Sequence, residues 1–189
     1  MTRKEQREKR QQDIMTAALD IFIRKGYSGT KIQDISHAVG MSVGLLFNYF
    51  ESKEKLYAEL IKLGKSHPKT MLENIEGEPL EFFQNAAKEI ILHVTTKPFV
   101  AKMFVLMTKA KCNEAIPESA KKLLAETDSL ELSVNKIIQG QQNGTIREGD
   151  PVSLALTFWG AIQGIAEQIA LNSDFPAPDS EWIVNILRK

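Results

Sequence analysis

The sequence predicts an all-α protein: a three-helix head over residues 1–52 followed by a larger helical body over residues 53–189. Three observations predict it. Apolar residues recur at the i, i+3, i+4, i+7 spacing of one helix face in segment after segment. Ser, Thr, Asp and Pro starts and Gly or Pro stops punctuate those segments. Finally, the stretch TKIQDISHAVGMSVGLLFNYFESK over residues 30–53 has the pattern of two short helices joined by a tight turn, a helix-turn-helix.

The chain opens MTRKEQREKR, where Arg3, Lys4, Arg7, Lys9 and Arg10 outnumber Glu5 and Glu8. This is either a solvated, frayed helix start or a helix end that lies along a phosphate backbone. From Asp13 onward Ile14, Ala17, Ala18, Ile21 and Phe22 fall on one face of a first helix that ends near Gly26. Tyr27 is expected to pack between this helix and the pair that follows.

In the helix-turn-helix, Thr30 is expected to cap the first helix, with Gln33 completing a capping box, and Ile32, Ile35 and Val39 share its inner face. Gly40 supplies the left-handed stop and Ser42 caps the second helix. Leu46 and Phe50, four apart, anchor that helix and leave Ser42, Val43, Leu45 and Asn48 for its outward face. The Asn48 amide suits the edge of an adenine, and Val43 and Leu45 suit thymine methyls. Gly44 either brings the backbone close to DNA or allows helices to pack closely. Thr30 and Lys31 at one helix start, and Ser52 and Lys53 at the next, stand where exposed N–H groups favour a phosphate.

Beyond residue 56, Leu56, Leu60 and Leu63 continue an apolar face, and His67-Pro68 predicts a kink or break. A helix opening at Gly77-Glu78-Pro79 carries Leu80, Phe83, Ala87, Ile90, Ile91 and Val94. Phe99, Val100, Met103, Phe104, Leu106 and Met107 then cover most of a helix circumference, either as plain core or as the lining of an apolar cavity. One long helix is predicted over residues 117–142, with Leu130, Val134, Ile137 and Ile138 in its stripe. A second starts at Asp150-Pro151, with Leu154, Phe158, Ala161, Ile162, Ile165, Ala166 and Ile169 in its stripe. Gly160 and Gly164 flatten one side of it. Trp159, Gln163 and Glu167, at four-residue spacing, either face a ligand cavity or lie in solvent and an interface. A short last helix over residues 180–187 is anchored by Trp182, Ile183 and Ile186.

Composition bounds the function. The formal net charge is zero, but residues 1–65 hold 12 Lys or Arg against 8 Asp or Glu, and the remainder 12 against 16. The basic excess accompanies the helix-turn-helix, as polyanion binding requires. No apolar run approaches the roughly 20 residues of a membrane span and no signal peptide is evident, so a cytoplasmic protein without a membrane partner is expected. Cys112, the single cysteine, is expected to be a buried small hydrophobe. No phosphate-cradling glycine loop, metal-ligand spacing or nucleophile constellation is present, and His67 and His93 stand in no ligand pattern. Neither enzyme activity nor a metal or cofactor is expected.

The run Ala17-Ala18-Leu19-Asp20-Ile21-Phe22, then Gly26-Tyr27, Thr30, Asp34-Ile35, Gly40-Met41-Ser42, Gly44, Leu46, Tyr49-Phe50 and Ser52-Lys53-Glu54-Lys55-Leu56 resembles the N-terminal domain of the TetR family of bacterial transcriptional regulators. The resemblance implies a homodimer, its long C-terminal helices paired as a four-helix bundle, with a DNA-binding head and a ligand-sensing body. It implies that Tyr49 and Lys53 contact phosphates. Phe47 departs from the family's usual tyrosine and cannot donate a hydroxyl hydrogen bond. The expected function is a sequence-specific regulator, more commonly a repressor, released from a palindromic operator in double-stranded DNA by a small, largely apolar effector. An all-helical protein-interaction module without specific DNA binding is the competing class.

Overall fold

The computed structural model describes residues 2–125 and 129–189. Among them are ten helices: α1 (Arg3–Gly29), α2 (Ile32–Ala38), α3 (Val43–Phe47), α4 (Lys53–Glu73), α5 (Pro79–Thr96), α6 (Pro98–Lys111), α7 (Glu118–Ala125), α8 (Ser129–Gln142), α9 (Pro151–Leu171) and α10 (Ser180–Val184). Among the described residues there is no sheet, only an isolated antiparallel bridge between Ile146 and Arg188. The chain forms two compact units, Met1–Lys65 with Val105–Ala125 and Ser66–Phe104 with Glu126–Lys189.

In the first unit α1 begins in a capping box between Thr2 and Glu5 and stays exposed for its first turns. From Ile14 it buries the predicted face, with Ile14, Ala18, Ile21 and Phe22 at most 4% exposed. Gly26, at φ 71°, breaks the helix where the sequence placed its end. Tyr27 packs differently from expectation. Its ring lies 5.0 Å from that of Tyr57 on α4 and 6.1 Å from that of Phe22, so it joins α1 to α4. Tyr57 in turn meets Phe22 edge-on at 4.9 Å, and burial, with the neighbouring Tyr27, pushes its phenol up to about 12.

The second unit is built on α5, α8, α9 and α10. Its core gathers Phe82, Phe83, Ala86, Ile91 and Val94 of α5 with Ile137 of α8, Phe158, Ile162 and Ala166 of α9, and Ile183 and Val184 of α10. Helix α5 opens at Pro79 as the sequence signals, with the Glu81 carboxylate accepting the Glu78 N–H at 3.2 Å, and the Asp150 carboxylate accepts the Ser153 N–H at 2.8 Å to start α9, the cap the sequence signals there.

Several expectations change. The helix through His67 continues across Pro68 to Glu73, so the proline's missing N–H is tolerated inside α4. The helix predicted over 117–142 is described as α7 and α8; residues 126–128 lie outside the described residues. Trp182 is 69% exposed and does not anchor α10, because Ile183, Val184 and Leu187 take the buried side. Cys112 is exposed rather than buried, since it follows the last turn of α6. By length and apolar content α9 is comparable with a membrane span, contrary to the sequence expectation. Its Phe158, Ile162 and Ala166 face the core of the second unit, but only 28% of its apolar window is buried, and Val152, Leu156 and Leu171 are exposed.

Candidate nucleic-acid interface and body site

The turn before α3 forms as the sequence signals: Gly40 adopts φ 63° and the Ser42 hydroxyl accepts the Leu45 N–H at 3.2 Å. Leu46, fully buried, and Phe50, 4% exposed, hold the helix to the head. The remainder faces outward. Ser42, Gly44 and Asn48 are exposed, Leu45 and Phe47 are 45% and 43% exposed, and Val43 is half-buried. Two large apolar side chains exposed on five residues form an unusual free surface. A methyl group at Gly44 would meet nothing within 4 Å, so close packing within the chain does not explain this glycine. Asn48 is the C-cap rather than a residue inside the helix.

The phosphate-facing residues separate into two groups. Thr30 is 1% exposed and caps α1 rather than α2, its hydroxyl donating to the Gly26 carbonyl at 2.7 Å. The N-cap of α2 is Lys31, one residue later than expected, and Asp34 instead of Gln33 accepts the Lys31 N–H at 3.0 Å. A salt bridge from Lys25 at 2.9 Å, then that backbone N–H, hold the Asp34 carboxyl below its ordinary range. Lys53 is also turned inward. Its ammonium donates to the carbonyls of Tyr27 at 2.9 Å and Thr30 at 2.8 Å and stands 4.2 Å from the centroid of the Tyr27 ring, and burial lowers its pKa. In this arrangement the Thr30 hydroxyl and two of the three Lys53 N–H donors are bonded within the head. Lys31 remains exposed and Tyr49 half-buried.

A contact that sequence patterns do not reveal joins α1 to the end of α3. The Arg7 guanidinium donates to the Asn48 carbonyl at 3.2 Å and lies 5.5 Å from the centroid of the Tyr49 ring.

In the second unit, Met103 is buried, Phe99 is half-buried, and Phe104 and Trp159 pack against the core. Met107 belongs to the first unit. The polar ends that the sequence aligned are satisfied internally. Trp159 Nε1 donates to the Ser133 hydroxyl at 2.9 Å, and Gln163 Nε2 donates to the Phe104 carbonyl at 3.2 Å and to Glu167 at 2.6 Å. Two open clefts of about 380 and 410 Å³ lie in the first unit, and none of these seven residues lines either. On α9, Val152, Leu156, Gly160, Gly164 and Leu171 are exposed, and a methyl group at either glycine would meet nothing within 4 Å.

Two short helices across a tight turn, the second serine-capped and presented outward, define a helix-turn-helix head of the nucleic-acid-binding class. Residues 14–60 match the family described as bacterial regulatory proteins, tetR family, so this head is a domain of that family. Among its relatives, the uncharacterized HTH-type transcriptional regulator YfiR of Bacillus subtilis (strain 168) is 38% identical over 61 residues, covering 32% of this chain and only 30% of YfiR. The HTH-type transcriptional regulator RutR of Escherichia coli O157:H7 is 27% identical over 164 residues, 82% of this chain and 72% of RutR. The crystal structure of AibR in complex with isovaleryl coenzyme A and operator DNA superposes with a TM-score of 0.68, at 21% identity over 93% of this chain and 94% of that one. The likeness in fold thus extends over most of the chain.

Proposed function

We propose that the protein is a transcriptional regulator that acts in the cytoplasm as a homodimer on a palindromic operator, with repression lifted by a small, largely apolar effector. The observation that carries this is the outward face of α3, where Ser42, Gly44, Leu45, Phe47 and Asn48 are exposed on a helix anchored by Leu46 and Phe50. Direct polar readout by such a face is thin. Specificity rests on Asn48, on methyl contacts from Val43 and Leu45, and on DNA shape. Lys31 and the basic residues Arg3, Lys4, Lys9 and Arg10 at the start of α1 supply phosphate contacts, and Tyr49 adds a hydroxyl donor.

The exposed stripe on α9 supports the dimer. Gly160 and Gly164 leave room for a helix of a second copy between Leu156 and Leu171. For the effector, residues 53–189 act as the sensing body. A largely apolar ligand among Phe99, Met103, Phe104 and Trp159 that carries one polar acceptor would accept from Gln163 Nε2 in place of the Phe104 carbonyl and Glu167. Differential affinity for one spacing of the two heads then shifts the population away from DNA. Isovaleryl coenzyme A, the ligand of AibR, is a reasonable first probe. In a Trp182→Phe chain, binding changes the fluorescence of Trp159; an unchanged spectrum across a panel of acyl thioesters and free apolar ligands argues against this site.

The DNA-binding reading is tested by selecting binding sites from a random duplex library with the full chain. Enrichment of a two-fold symmetric sequence is expected. A library that stays random after repeated rounds contradicts it.

A further inference from the structure

We infer that Arg7 is a positioning residue for the recognition helix α3, acting at its C-terminal end, and is not itself a phosphate contact. The inference rests on the DNA-binding reading above. At five residues, α3 is too short to hold its own geometry. Leu46 and Phe50 pin one side of it to the head. At its C-terminal end, the Leu46 carbonyl accepts the Tyr49 and Phe50 N–H groups at 2.9 and 3.1 Å. The Asn48 carbonyl takes the Arg7 guanidinium, 41 positions away in sequence, and the same guanidinium covers the Tyr49 ring. A cation at this end also opposes the partial negative charge of the helix terminus.

The form of α1 supports the same reading. Residues 3–10 are all exposed, so core burial does not explain why the helix extends N-terminal to Ile14. The extension is nonetheless ordered from its start by the Thr2–Glu5 capping box, with Thr2 N–H to Glu5 at 2.9 Å and Glu5 N–H to Thr2 at 3.2 Å. It carries Arg7 to α3. Because Asn48 is both the residue held by Arg7 and the one polar base reader proposed above, loosening that cap blurs sequence choice more than it weakens general affinity.

The test uses the full chain with Arg7→Ala, a substitution at an exposed position that leaves the core intact. Without DNA, amide exchange at Tyr49 and Phe50 should quicken by about tenfold, with no change at Ile35 or Leu60. With DNA, affinity for the duplex enriched by the wild type should fall about tenfold, with affinity for a random duplex nearly constant and the salt slope unchanged. Unaltered exchange at Tyr49 and Phe50 overturns the clamp. Equal losses on both duplexes, with the slope reduced by about 0.9, overturn it in favour of a phosphate contact. If the wild type prefers no duplex, the DNA-binding reading fails separately, and the exchange result alone decides the clamp.

Discussion

The Lys53 ammonium lies 2.8 Å from the Thr30 carbonyl oxygen, tying the first turn of α4 to the end of α1. A second bond to Tyr27 at 2.9 Å and the Tyr27 ring beneath it complete the arrangement. Lys53→Ala removes two charge-assisted bonds from a partly exposed site and should cost about 1–2 kcal/mol of stability. The salt slope of DNA binding should stay unchanged, because no phosphate contact is lost. Denaturant titration and salt-dependent binding check the two halves. An unchanged midpoint with a smaller slope would return Lys53 to the phosphate-contacting role that the family resemblance implies.

Tyr57 gives a pH signature. Burial raises its phenol to about 12, so the folded state favours the neutral form. The associated stability is therefore fully present below the ordinary tyrosine value of 10.0 and is lost as pH rises from there towards about 12. Phenolate absorbance should show a step near pH 12 from Tyr57, beside Tyr27, whose phenol burial also raises, and Tyr57→Phe should remove the step near 12. Loss of an ordinary step instead would mean that Tyr57 is solvated.

Asp34 acts at the other end of the pH scale. Its carboxyl is held below the ordinary value of 3.8 by Lys25 and the Lys31 N–H. Its contribution is present above that value and is lost as pH falls through the lower folded one. In thermal melts, wild type and Asp34→Asn should differ by a constant amount at neutral pH and converge in strong acid. A gap that persists undiminished there would locate the effect outside the carboxylate.

Gly140 sits against a buried side chain. A methyl group there would lie 2.5 Å from Ile146 Cδ1 and 3.1 Å from its Cβ, inside a residue that is 1% exposed. Gly140→Ala should destabilise by about 1–3 kcal/mol. In an Ile146→Ala background most of that cost should vanish, and a double-mutant cycle measures the coupling. Additive losses would show that the contact does not govern the position.

The elements that periodicity and punctuation could specify were legible. Ile14 to Phe22 bury the predicted face, Gly40 turns the chain, Ser42 caps α3, and Leu46 and Phe50 face inward. What escaped depended on partners distant in sequence. Nothing around Lys53 indicates that its ammonium meets carbonyls more than 20 positions earlier, or around Arg7 that it reaches Asn48. The α2 cap was misplaced by one residue, because Thr30 and Lys31 both precede plausible partners and Thr30 is drawn back to Gly26. The row of Trp159, Gln163 and Glu167 was visible as a spacing. Its bonds to Ser133 and Phe104 depend on how α9 packs against neighbouring helices, which spacing does not encode.

The most direct measurement is a titration of the full chain against its enriched duplex and a scrambled duplex of equal length, between about 50 and 200 mM salt. The account predicts that the enriched duplex binds at least about 1,000-fold tighter near physiological salt, with both affinities falling as salt rises. Equal affinity for the two at every salt concentration would contradict it.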